Sequence, residues 1–126
     1  MAEKKAWRLI FAEGLLGQYI TGNNVWTFRK YSPGSHEFTK GQIIEGHFKD
    51  GIMLLLEVME DTKTKLFAKI TKQECIAWGN CTHAEMMEQL RSYYSDLQED
   101  ETAALICTRL ARINDRPIAG PLPEGV

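Results

Sequence analysis

The sequence predicts an α+β fold: a small, mostly antiparallel β-sheet or barrel flanked by two or three helices. Three observations lead there. Five or six short segments rich in β-branched and aromatic residues cluster along the chain, and such segments suit a pleated, half-buried surface. Helical periodicity is confined to a few inserted stretches, chiefly between residues 71 and 97. No repeated strand–helix–strand rhythm appears, which argues against a doubly wound parallel sheet. With 126 residues, 44% of them hydrophobic, the chain has enough apolar material for one core without a disulfide or metal to hold it.

The elements follow in order. AWRLIFA (6–12) is short, apolar and partly alternating, as in a strand. In EGLLGQYITG, Leu15, Leu16, Tyr19 and Ile20 recur at helical spacing, which predicts an amphipathic helix of two to three turns closed by Gly22. NVWTFRKY (24–31) reads as a strand and SPGSHEFTKG as a loop punctuated by Pro-Gly. QIIEGHF and IMLLLEVME flank KDG, a hairpin turn in which Asp-Gly accepts positive φ. TKLFAKI predicts a strand with Leu66 and Ala68 on one side and Lys65, Phe67 and Lys69 on the other. TKQECIAW predicts a short helix from Thr71. THAEMMEQLRSYYSDL predicts a longer one, with Thr82 and Glu85 as a capping box and Met86, Leu90, Tyr93 and Leu97 facing the core. TAALICTRLARI completes the strands. NDRPIAGPLPEGV, with three prolines and two glycines, predicts a tail without regular structure, so the domain is expected over 1–112 and the tail over 113–126.

Composition narrows the function classes. Net charge is −2, too low for general nucleic-acid binding by the whole surface. Seven of the Lys/Arg and four of the Asp/Glu lie in residues 1–49, leaving eight against thirteen in 50–126. A basic face drawn from the first part therefore remains available for phosphates, and ordinary solvated surface explains the same numbers. No apolar run is long enough for a transmembrane helix, and Arg8 and Glu13 interrupt the apolar patch at the N-terminus, so a cytoplasmic location is expected. Cys75, Cys81 and Cys107 are expected to be reduced packing residues. Cys75, Cys81 and His83 match no zinc spacing, so neither a metal nor a cofactor is expected. Dinucleotide, P-loop, zinc-protease and nucleophile-elbow motifs are absent from the sequence.

The chemistry concentrates in residues 22–41. Alternation places Asn24, Trp26 and Phe28 on one strand face and Val25, Thr27 and Arg29 on the other. An arginine beside a hydroxyl can hold a phosphate or carboxylate. Lys30, His36 and Lys40 add charge, and Trp26 or Tyr31 offers a ring for a base to stack on. The same residues also read as a core pair, Trp26 and Phe28, behind a solvent-facing strand edge.

The stretch Gly22-Asn23-Asn24-Val25-Trp26-Thr27-Phe28-Arg29 resembles the G-x-K-x-x-E-x-R motif of ASCH domains, relatives of the PUA-like RNA-binding barrels. Gly22 and Arg29 match, while Asn24 stands at the lysine position and Thr27 at the glutamate position. The order of strands and helices over about residues 6–110 is similar too. The stretch is most similar to the small bacterial acetylcytidine amidohydrolases, which carry a threonine like Thr27, a Ser-His pair like Ser35-His36 and a Phe-x-x-Gly like Phe38 to Gly41. The resemblance implies a PUA-like barrel that binds RNA, a nucleotide or a nucleoside. Arg29, Lys30 and Lys40 would meet phosphate, Trp26 or Tyr31 would stack, and Asn24, Thr27 and Ser35 would hydrogen-bond a base or sugar. It also implies an alternative, deacylation of an acylated nucleoside with Thr27 as nucleophile. The family's glutamate falls near Gly79 or Glu74, and Glu57 is a further carboxylate candidate. Asn24 supplies no ammonium group, which weighs against catalysis. A ribonuclease using His36 and a protein-binding module working through the acidic half and tail are the remaining alternatives.

Overall fold

The computed structural model describes residues 8–111 and 119–121. The fold is α+β, a mixed sheet with three α-helices among the described residues. The chain divides into two compact units, residues 1–25, 38–61 and 107–126 in one and residues 26–37 and 62–106 in the other.

In the first unit, β1 (Arg8–Phe11) pairs in parallel with β3 (Ile43–Phe48), and β3 pairs antiparallel with β4 (Ile52–Val58) through the KDG hairpin. Gly51 takes φ +90° and donates its N–H to Phe48 O at 2.9 Å, as the Asp-Gly turn predicts. Gly46 has a second role: a Cβ there would lie 2.8 Å from Leu56 Cδ1, so only glycine lets Leu56 settle into the core. That core is aromatic. Phe11 and Phe48 stack with centroids 4.6 Å apart, and Tyr19 meets both edge-on, the arrangement ring quadrupoles favour. The buried Tyr19 hydroxyl shares a 2.7 Å hydrogen bond with Thr108 Oγ1, so neither polar group is stranded.

The helix carrying Tyr19, α1 (Leu16–Ile20), is shorter than the spacing predicts. It makes little more than one turn, only Tyr19 is buried, and Ile20 is 67% exposed. Gly22 follows it at φ +79°, donating to Tyr19 O at 3.1 Å. The tail also departs from expectation: Ala119–Pro121 form β7 on β4. The reason is the neighbouring strand. The end of β6 covers only Leu56–Val58 of that edge of β4, and β7 covers Ile52–Leu54, so the exposed half-edge is paired. Pro121, which has no N–H to give, sits at the strand's last position. Residues 113–118 and 122–126 of the expected tail, Arg112 and Ile113 at the end of the expected last strand, and Ala6 and Trp7 of the expected first strand lie outside the described residues.

In the second unit, β2 (Val25–Lys30, from Trp26 onward) and β5 (Lys63–Leu66) both pair with the first part of β6 (Thr102–Leu110), whose residues 107–110 belong to the first unit. β6 is buried on both faces from Ala103 to Thr108, hence its nearly continuous apolar sequence. Lys63–Leu66 form the strand, but Phe67–Lys69 turn into a 3-10 helix. The expected alternation consequently fails: Phe67 and Ile70 are buried and Leu66 is 40% exposed, because residues three apart line up in a 3-10 turn. Two helices follow, α2 (Lys72–Gly79) and α3 (His83–Arg91), each opened by a complete capping box, Thr71 with Glu74 and Thr82 with Glu85. The core gathers Phe28, Phe67, Ile70, Cys75, Met86, Met87, Leu90, Leu97, Ala103 and Leu105. Tyr93, expected in that core, is 60% exposed. α3 stops at Arg91, so the helical period no longer governs Tyr93, and Leu97 returns to the core through a turn in which Arg91 Nε donates to Leu97 O at 3.1 Å.

Candidate functional site

The candidate residues lie mostly on β2 and the loop after it, within the second unit. Strand alternation gives β2 two unlike faces. On one face, Phe28 is buried in the helical core and stacks on Trp78 with centroids 5.4 Å apart. Trp26 packs against the same core, and the Lys63 ammonium stands 5.6 Å from its ring centroid, within cation–π range.

The other face carries Thr27 and Arg29, both half-buried. The Thr27 hydroxyl donates to Ile106 O over 3.4 Å, a long bond. A carbonyl accepts that proton but removes it from nothing, so this contact leaves the hydroxyl a weak nucleophile with its oxygen lone pairs as acceptors.

The loop is built by side chains that replace missing backbone partners. Ser35 N donates to Ser32 O at 3.1 Å, with Gly34 at φ +81° between them. Ser32 N donates to His36 Nδ1 at 3.1 Å. Gly34 N donates to Glu37 Oε2 at 3.1 Å, and the Tyr31 hydroxyl donates to Glu37 Oε1 at 2.7 Å. Those two bonds hold the Glu37 carboxyl below its ordinary range, the tyrosine first and Gly34 second. The same bond to Glu37 raises Tyr31. Tyr31 is thereby oriented along the loop.

His36 is the pivot of this region. Burial, and then the charge of Arg29, push its pKa below the ordinary histidine value. Its Nδ1 accepts from Ser32, so the neutral ring carries its proton on Nε2, at the opposite edge. In this tautomer His36 is a hydrogen-bond donor rather than a general base. Lys30, the next cation along β2, is held 2.8 Å from Glu101. That hydrogen bond and the charge behind it raise Lys30 and lower Glu101. Ser35 is exposed on the loop.

The other expected site residues lie elsewhere. Asn24, exposed, and Lys40 fall in the first unit, where Lys40 N donates to Asp61 Oδ1 at 2.8 Å. Glu74 is part of the α2 cap: Oε1 accepts from Thr71 N at 2.8 Å and from Lys65 Nζ at 2.9 Å. Burial works to raise its pKa, but the Thr71 and Lys65 bonds outweigh it and keep the carboxyl low, a poor setting for a base near neutrality. Glu57, in the first unit, faces Arg109 at 3.3 Å. His83 Nε2 donates to Phe67 O at 2.8 Å, and His47 pairs with Glu45 at 2.8 Å. Burial raises the thiols of Cys75 and Cys81. Among the described residues, no three His, Cys, Asp or Glu side chains gather as a metal site would need, and no helix is long and apolar enough to cross a membrane.

Sequence reasoning missed Ser32, Glu37 and Glu101. A signal for the first two was present: a Ser-Pro-Gly-Ser loop has many unpaired backbone groups, and the polar side chains beside it are the nearest partners. Glu101 carried no such signal, being 71 residues from Lys30. Compared with known proteins, the chain matches no family model, and no curated protein is similar enough to count as a relative.

Proposed function

We propose that this chain is a nucleotide- or RNA-binding module of the ASCH-like type, with its ligand site on the Thr27–Arg29 face of β2 and the 32–37 loop. One observation carries the reading. A guanidinium, an imidazole whose Nε2 bears the proton, and a hydroxyl belong to one short stretch of the same unit, with His36 near enough to Arg29 to feel its charge. The guanidinium and the Nε2–H suit phosphate and base oxygens as donors, and the hydroxyl oxygen, whose proton goes to Ile106, accepts from a base or sugar. The loop is already cross-bonded, so less ordering is needed when a ligand arrives. Tyr31, tethered by Glu37, is the favoured stacking ring. Trp26 is secondary, because its face already meets Lys63 and the helical core.

The hydrolase reading is weaker. It needs an activated Thr27, and the bond to the Ile106 carbonyl does not activate it. Titrating short single-stranded RNA and nucleoside monophosphates into the protein at low salt tests the proposal. Saturable binding that weakens with salt, and that Arg29→Ala reduces, supports it; an absence of binding refutes it. Deacetylation of acetylcytidine that disappears in Thr27→Ala would replace it with the hydrolase reading.

A further inference from the structure

We propose that Cys75 and Cys81 are a thiol–disulfide exchange site: a small-molecule disulfide oxidises the pair to a reversible cross-link that ties α2 to the chain entering α3.

The corner between the two helices brings these residues together. Asn80 takes φ 50° and ψ 49°, the left-handed conformation, directly after α2, and donates its N–H to Ile76 O at 2.9 Å. A left-handed residue at a helix end turns the chain so that its successor packs back on the helix it has just left, commonly through an apolar contact. The successor here is Cys81, and its Sγ stands 3.9 Å from the Cys75 carbonyl oxygen. The side chains that meet at this contact are thus both cysteines, with five residues between them. Both are free thiols, and both pack against the core of the second unit. After burial, the nearby Cys81 thiol is the strongest influence raising Cys75.

Exposure assigns the roles. Cys75 is 0% exposed and Cys81 is part-exposed, so Cys81 is the thiol that meets a reagent from solvent. Burial first, and Glu85 second, raise Cys81. Its thiolate is scarce at neutral pH, so exchange is slow there and quickens with alkali. The Cys81 thiolate attacks one sulfur of the small disulfide, forming a mixed disulfide and expelling the first small thiolate. Cys75 then attacks Cys81 Sγ, and the bond from Cys81 to the small sulfur breaks, releasing the second. Each leaving thiolate takes up the proton that a protein thiol has given away. Overall, two protein thiols become one disulfide and the small disulfide becomes two thiols. Excess small thiol reverses both steps.

The test is peptide mass mapping of the folded protein after incubation with oxidised glutathione at about pH 8.5, where more thiolate forms. The reaction is quenched with acid, remaining thiols are alkylated in denaturant, and the chain is cut with trypsin. Both cysteines fall in one tryptic peptide, residues 73–91. That peptide is expected to be about 2 Da lighter than its dithiol form, to carry no alkyl group, and to regain both thiols in dithiothreitol. Cys75→Ala is expected to stop at a glutathione adduct on Cys81, and Cys81→Ser to leave Cys75 unreacted. A glutathione adduct that persists on Cys81 of the unaltered protein overturns the inference, because Cys75 is then out of reach. So does alkylation of both cysteines after prolonged exposure, a first adduct on Cys75, or a disulfide between two chains. These outcomes are read on the unaltered protein, so they decide the matter whether or not the variants fold.

Discussion

The two faces of β2 differ in their neighbours. On the Trp26–Phe28 face, an aromatic stack with Trp78, a hydrophobic core and a lysine over the indole fill the space. On the Thr27–Arg29 side, Arg29 is near enough to lower the pKa of His36, which belongs to a polar loop that fixes it in one tautomer. A single strand can therefore support a core on one side and a candidate recognition site on the other, because successive side chains point in opposite directions. Interest in a residue type is no guide to its role here. The tryptophan most suggestive of base stacking lies on the structural face, while a backbone N–H of the following loop, that of Ser32, sets the chemistry of the histidine.

That contrast breaks most visibly at Phe28. Phe28→Ala should cost about 3–5 kcal/mol in urea denaturation, since it empties a buried ring site beneath Trp78. A loss below about 1 kcal/mol would mean the face is not a packed core. On the opposite face, Arg29→Ala should reduce RNA affinity and flatten the slope of log affinity against log salt by about 0.7, the share of one phosphate contact on a single strand. An unchanged slope would remove Arg29 from phosphate binding. The caps behind the structural face come next: Thr71→Ala and Thr82→Ala should each cost about 1 kcal/mol, read as lower urea midpoints with RNA affinity unaltered.

The smallest expected effect is a pH dependence. His36 has a folded-state pKa below its unfolded value, so between the two values the unfolded chain binds more protons. Stability should fall as pH drops from about 6.5 toward the folded-state value and level off beneath it. The depressed carboxylates Glu37, Glu74, Glu85 and Glu101 keep their contributions above the ordinary carboxylate value and lose them as pH falls from there through their lowered folded-state values. His36→Asn should remove the upper part of this slope. An unchanged slope between pH 6.5 and 5 would assign the effect to another group.

What could be read from the sequence was what short-range chemistry determines. Thr71 and the Thr82–Glu85 pair marked both helix starts, and Asp50-Gly51 marked the hairpin. Period two placed Trp26 with Phe28 and Thr27 with Arg29. The misses depended on partners distant in sequence or on the end of a period. β7 exists because part of the β4 edge is left to it by β6. Tyr93 is exposed because α3 ends two residues before it. Alternation gave the faces of β2 but not their coverings, since Lys63 over Trp26 and Glu101 against Lys30 come from other strands or loops. The resemblance to ASCH domains rests on Gly22 and Arg29, and Asn24 in place of the family's lysine favours binding over catalysis.

The central claim is that ligand binds on the Thr27–Arg29 face of β2. Its most direct measurement is an NMR titration of the ¹⁵N-labelled protein with short single-stranded RNA at low salt. The account predicts saturable shifts concentrated in residues 27–37, reduced at higher salt and lost in Arg29→Ala. Shifts confined to other parts of the chain, or none at all, would contradict it.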